Sequence, residues 1–191
     1  MAENGRAQGL PPGLAALAAE AGKPAQARPV ERWNPPYCGR IDMRIGAEGT
    51  WHYCGGPIGR EALVRLFASL LRREPDGEYV LVTPVEKLGI EVDDAPFVAV
   101  EMEAEGRSEN QSLTFRTNVG DIVTAGPEHP LRFETEPGTA GLKPYLRVRG
   151  RLEALVARQI ALQLAELAGE SDGRLGVWSA GRFFAFPEAD S

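Results

Sequence analysis

Hydrophobic and polar positions change period several times along the chain. Ile41, Met43 and Ile45 alternate with Asp42 and Arg44, and Trp51 and Tyr53 alternate with Thr50 and His52. Period two marks a half-buried strand, and the turn from Gly46 to Gly49 between the runs predicts a hairpin. Over 60–73 the period becomes helical. Ala62, Leu63, Leu66, Phe67, Leu70 and Leu71 form one stripe with Arg65, Ser69, Arg72 and Arg73 opposite, until Pro75-Asp76-Gly77 stops it. Tyr79 to Thr83 then predicts a strand buried on both faces, and Leu88, Ile90 and Val92 a half-buried one. Past Asp93-Asp94-Ala95-Pro96, alternation returns at Val98, Val100 and Met102, then at Leu113, Phe115, Thr117 and Val119. It continues at Leu131 and Phe133 and at Leu146 and Val148. A second helix is predicted over Arg151 to Ala168, on a stripe of Leu152, Val156, Ile160 and Leu164 at i, i+4 spacing. Leu175 to Trp178 and Arg182 to Phe186 read as a closing hairpin.

These elements predict an α+β fold of two structurally related domains, each of short, mostly antiparallel strands with one main amphipathic helix. Residues 1–32, rich in Gly, Pro and Ala, read as a flexible N-terminal arm whose single helical stretch, Gly13 to Ala21, is too short to stand alone. An N-terminal domain is expected over 33–94 and a C-terminal domain over 95–191. The relation between the halves rests on a partial repeat. Gly59-Arg60-Glu61-Ala62-Leu63-Val64-Arg65 resembles 150–158 apart from two inserted residues, and an acidic Gly-containing turn follows each helix.

Composition narrows the partners. The 191 residues carry 21 basic and 27 acidic side chains, a net charge of −6, which argues against a nucleic-acid footprint. No apolar run is long enough to span a membrane. Two cysteines, Cys38 and Cys54, make no disulfide framework. The apolar run from Leu14 to Ala19 lacks the basic start of a secretory signal, so a cytoplasmic location is expected.

Among the chemical motifs, Gly55-Gly56-Pro57-Ile58-Gly59-Arg60 lacks both the Walker and the dinucleotide spacing and reads as a tight turn. His52, Cys54 and Cys38 lack an evident fourth ligand, so no metal and no cofactor are expected. Gly-x-Ser-x-Gly does not occur, and no catalytic residue is assigned. The informative polar set lies on strands and at bends. Thr114, Arg116 and Asn118 share one face of a strand, Arg147 and Arg149 share a face with Tyr145, and Thr83-Pro84-Val85-Glu86-Lys87 forms a sharp bend. Arginine beside hydroxyl and amide groups is the usual equipment for phosphate or carboxylate, and a solvated sheet face with surface ion pairs is the plainer alternative. Trp178, beside a turn, either stacks a base or seals the second helix against the sheet, the core role being favoured.

Trp33-Asn34-Pro35-Pro36-Tyr37-Cys38-Gly39, Ile41-Asp42-Met43-Arg44-Ile45 and Gly49-Thr50-Trp51-His52-Tyr53 resemble the bacterial domain-of-unknown-function family 1285. So do Pro57-Ile58-Gly59-Arg60, Leu81 to Lys87, Asp94-Ala95-Pro96-Phe97, Leu113 to Val119, His129-Pro130-Leu131, Pro144-Tyr145 and Trp178-Ser179-Ala180-Gly181. The resemblance covers about residues 29–187. It implies a duplicated α+β fold, a C-terminal domain superficially like pleckstrin-homology domains, and a pocket between domains for a nucleotide-like ligand, with a part in bacterial signalling.

Chemistry and resemblance together give the leading expectation: a non-enzymatic protein binding an anionic, nucleotide-like ligand. Lys87, Arg116 and Arg149 would neutralise phosphate, Thr117 and Asn118 would hydrogen-bond it, Thr83 and Glu86 would line the bend, and Trp178 would pack on a base. A hydrolase using Glu86 or Asp121 as general base is a competing reading. A module binding a signalling partner without a small ligand is another.

Overall fold

The computed structural model describes residues 9–22, 28–139 and 141–188. The chain divides between Asp94 and Ala95 into two compact units. The N-terminal unit holds helix α1 (Pro12–Ala18), strands β1 (Tyr37–Ile45), β2 (Trp51–Tyr53) and β3 (Gly56–Pro57), helix α2 (Glu61–Leu70), and strands β4 (Leu71–Arg73), β5 (Tyr79–Val82) and β6 (Lys87–Val92). Its six strands lie in the order β3-β2-β1-β6-β5-β4, with β1 and β6 parallel at the centre and every other pair antiparallel.

The C-terminal unit holds β7 (Phe97–Glu105), β8 (Ser112–Thr117), β9 (Ile122–Thr124), β10 (Leu131–Thr135), β11 (Leu142–Arg149) and β12 (Leu152–Val156), then helix α3 (Arg158–Glu166). Its sheet runs β10-β11-β12-β7-β8-β9, again with one parallel pair, β12 and β7, at the centre. In both units three strands step from the centre to one edge, and three more return from the opposite edge to pair in parallel with the first. The units therefore share one sheet topology. A separate three-stranded antiparallel sheet, β13 (Gly169–Ser171), β14 (Arg174–Ser179) and β15 (Arg182–Ala185), contains the predicted hairpin and adds a strand before it.

The sequence match that suggested duplication does not align equivalent elements. Residues 59–65 enter α2, whereas 152–156 form β12. The predicted helix over 151–168 is thus replaced by a strand followed by a shorter helix. A spacing of four fits a strand face, where it is two periods of two, as well as a helix face. Leu152, Ala154 and Val156 are buried while Glu153 and Leu155 are less so, and β12 is paired on both sides, so sheet pairing decides the first half of the segment. From Arg158 the helix buries Ile160, Ala161 and Leu164.

Helix α2 also ends earlier than its pattern suggests. Leu63, Leu66, Phe67 and Leu70 face the core at i, i+3, i+4, i+7. Leu71 then turns extended, and Leu71, Arg72 and Arg73 pair with Leu81, Val80 and Tyr79. Arg72, almost wholly buried, makes this strand a strut. Its guanidinium donates to Glu74 Oε1 at 2.6 Å and to the carbonyls of Val30 and Trp33 at 2.7 and 2.8 Å.

Part of the expected flexible arm is docked. Leu14 is fully buried and Ala18 nearly so, the backbone N–H of Leu14 donates to the buried carboxylate of Glu86 at 2.9 Å, and Tyr53 Oη donates to the carbonyl of Gly9 at 2.8 Å. Residues 1–8 and 23–27 of the arm lie outside the described residues. The expected likeness of the C-terminal unit to pleckstrin-homology domains rests on the family resemblance alone.

Candidate functional site

The residues expected to bind an anion sort into two groups in separate units, and most have structural partners. In the N-terminal unit the β5–β6 bend brings Thr83, Glu86 and Lys87 together. Thr83 is fully buried, and its Oγ1 accepts from the backbone N–H of Glu86 at 3.1 Å, which shapes the turn. Glu86 holds α1, and Lys87 Nζ lies 3.6 Å from Glu74 Oε2.

In the C-terminal unit, Thr117, Asn118 and Arg149 meet at the β8–β9 turn. Thr117, on the buried face rather than in solvent, accepts from the Asp121 N–H at 3.0 Å. Asn118 Oδ1 accepts from the Val98 N–H at 3.0 Å. Arg149 donates to Asp121 Oδ2 at 2.8 Å with its guanidinium 5.0 Å from the Phe97 ring centre. Arg116 stands apart on the exposed face, in a two-bond pair with Glu101 across the strands. Trp178, on β14, packs its ring against Phe183 at 5.3 Å between centres.

Each of the three cations expected to neutralise phosphate therefore faces a carboxylate, and the two candidate general bases hold Leu14 and Arg149. The Arg116 guanidinium beside Glu101 keeps that carboxyl below the usual range, and Arg44 does the same to Asp93. Both shifts run opposite to the raised pKa that a carboxylate acting as general acid requires.

A concave feature among the described residues lies elsewhere in the N-terminal unit. Alternation along β1 turns Met43 and Ile45 into the core and Arg40, Asp42 and Arg44 outward. The register sets His52 of β2 beside Arg44 on one side and Glu91 of β6 on the other, while Arg40 is opposite Gly89. These residues, with Gly55 from the turn after β2, line an open groove of about 330 Å³. Cys54 and Gly55 both adopt positive φ, 48° and 76°, as the chain reverses into β3 at the groove's rim.

The charges in the groove differ in how fully they are engaged. Arg44 donates two hydrogen bonds of 2.7 Å to the carboxylate of Asp93, which reinforces its positive charge. Arg40, more than half exposed, reaches Glu78 only at 3.5 Å, and Tyr37 Oη donates to the same Glu78 carboxylate at 3.0 Å. Asp42 and Glu91 make no ion pair among the described residues. His52 Nδ1 is buried without a hydrogen-bond partner among them. Sequence reasoning passed over this set because outward alternation on a strand signals solvent as readily as a site. Only the pairing of β1 with both β2 and β6 assembles a groove.

Residues 28–95 match the N-terminal domain, and residues 96–186 the C-terminal domain, of a family described as of unknown function, DUF1285. The chain belongs to the DUF1285 family. A DUF1285 protein of Silicibacter pomeroyi DSS-3, known from its crystal structure, is 50% identical, with 91% of this chain and 93% of that one covered and a TM-score of 0.83. A second, from Shewanella baltica OS155, is 27% identical, covers 66% of this chain and 91% of its own, and has a TM-score of 0.51. No curated protein matches the chain. The DUF1285 N-terminal match contains every residue lining the groove but leaves α1 outside it.

Proposed function

We propose that this DUF1285 protein is a non-catalytic binding protein that takes a small polar ligand into the groove over β1, β2 and β6. The observation that carries the reading is the groove itself. About 330 Å³, bordered by two arginines, two carboxylates and an imidazole, is at the small end of the range for small-molecule sites. It suits a metabolite rather than a dinucleotide. Among the described residues around it, no nucleophile is seen hydrogen-bonded to a base, and the reading is therefore of binding rather than turnover.

The narrower expectation, a nucleotide-like anion and a role in signalling, comes from the resemblance. An anion at Lys87, Arg116 or Arg149 would compete with Glu74, Glu101 or Asp121, and these cations are divided between the two units, so the groove is the better place to look for a ligand.

The experiment is a two-dimensional NMR titration of the full chain with small charged metabolites: inorganic phosphate, nucleoside diphosphates, dicarboxylates and α-amino acids. Saturable shifts centred on Arg40 to Arg44, His52 and Glu91 are expected. A ligand at about a hundredfold its dissociation constant adds roughly 2.7 kcal/mol and raises the melting midpoint by several degrees. Saturable shifts confined to other residues, or none with any compound, would overturn the reading.

A further inference from the structure

We infer that the ligand of this groove carries a positively charged amine together with a single carboxylate, as an α-amino acid does. The inference rests on the binding role proposed for the groove and deepens it. Among the lining charges and their direct partners, Arg40 and Arg44 stand against Asp42, Glu91, Glu78 and Asp93. The local balance is negative, so a nucleotide or other polyanion meets more repulsion than attraction. The positive charge of Arg44 is already faced by the carboxylate of Asp93, which accepts two of its N–H donors.

Three groups retain capacity. Asp42 makes no ion pair among the described residues, Glu91 faces Arg44 across the strands without a close ion pair, and Arg40 is held at one edge, by Glu78 at 3.5 Å. Asp42 and Glu91 sit on the adjacent strands β1 and β6 and both line the groove, where the register between the strands shifts between Arg40 and Arg44. Their carboxylates are the groups that would take an ammonium. Arg40 lines the same groove two residues before Asp42 and offers its planar fork to a carboxylate. Gly89, opposite Arg40, has no side chain to fill that end of the groove.

The test is isothermal titration of the full chain, paired with the NMR map, against the common α-amino acids, their N-acetyl derivatives, their decarboxylated amines, inorganic phosphate and ADP. At least one free amino acid should bind in the groove. Acetylating its nitrogen should weaken binding about ten- to hundredfold, the value of a charge-assisted hydrogen bond. Asp42→Asn with Glu91→Gln should produce the same loss, while Arg40→Gln should erase the preference of the zwitterion over its amine. These positions are exposed, so the variants should keep the wild-type melting midpoint. Binding of phosphate or ADP in the groove without any amino acid would overturn this ligand class while leaving the binding role intact. Silence from every compound would remove both.

Discussion

Glu86 gives the sharpest test of how the N-terminal unit is held together. It is nearly buried, and its Oε1 accepts the Leu14 N–H at 2.9 Å in the first turn of α1. A hydrogen bond to a charged group contributes about 1.5–3 kcal/mol, and in Glu86→Ala the buried Leu14 N–H would be left without an acceptor. Relief of the carboxylate's own desolvation offsets part of that, so a net loss of about 2 kcal/mol is expected. The docked segment has little to spare. Burial of Leu14 contributes about 1.5–3 kcal/mol, whereas each residue held in place costs about 1–2 kcal/mol of backbone entropy. The loss should therefore release α1 locally rather than unfold the sheet. Hydrogen exchange in Glu86→Ala should show the amides of Leu14 to Ala18 losing about ten- to thirtyfold protection, with β5 and β6 unchanged. Gly13→Ala should act on the same contact by another route, because its new Cβ would lie 2.5 Å from Glu86 Oε1 and 2.8 Å from Thr83 Oγ1. The two substitutions should then be less than additive, as for residues sharing one contact. Unchanged protection of α1 in Glu86→Ala, or strict additivity, would refute the reasoning.

Other outcomes follow from the C-terminal unit and from the surface pairs. Ser179 is fully buried, accepting from the Leu113 N–H at 2.9 Å and donating to the Ala125 carbonyl at 2.7 Å. Ser179→Ala should cost about 2–4 kcal/mol in denaturant unfolding, and a loss below 1 kcal/mol would deny it the role of tying β14 to the larger sheet. At Gly176 a Cβ would meet the Phe184 carbonyl oxygen at 2.3 Å and Ala185 Cα at 2.8 Å, backbone that cannot rotate away. Gly176→Ala should therefore lose about 1–3 kcal/mol and loosen exchange along β14 and β15, and wild-type exchange there would count against the close approach. Asp93 and Glu101 are held below the carboxylate range by Arg44 and Arg116. Their contribution is present above the unfolded pKa, near pH 4, and lost as pH falls through the lower folded values. Acid destabilisation should be shallower in the Arg44→Leu, Arg116→Leu double variant at low ionic strength, and a parallel pH profile would show the pairs to be inert. High salt should narrow the difference, since both pairs are exposed.

Much of the fold was legible because burial imposes its period locally. The alternation at Ile41, Met43 and Ile45 predicted β1, the stripe from Leu63 to Leu70 predicted α2, and the turn at Ser179-Ala180-Gly181 predicted the β14–β15 hairpin. The errors share one cause. Leu71 to Arg73 and Leu152 to Val156 each carry spacing that a helix accepts, and each became a strand because a partner with unpaired backbone groups lay alongside. Local pattern cannot report a partner distant in sequence.

The partners of the expected site residues were hidden for a related reason. Residue type marked Arg116, Arg149 and Lys87 as candidates to hold an anion, but type does not show whether a carboxylate already faces them. Glu101, Asp121 and Glu74 take that place, and each meets its cation only after strands pair or a turn closes. By itself the sequence determined most of the apolar positions that line the core, most of the turns, and that an acidic α+β protein of two parts would result. The tertiary structure alone decided the common sheet topology of the two units, the docking of α1 on Glu86, and the gathering of Arg40, Asp42, Arg44, His52 and Glu91 around one groove. Those depend on contacts between residues far apart in the chain, and charges acquire their chemistry from what stands opposite them.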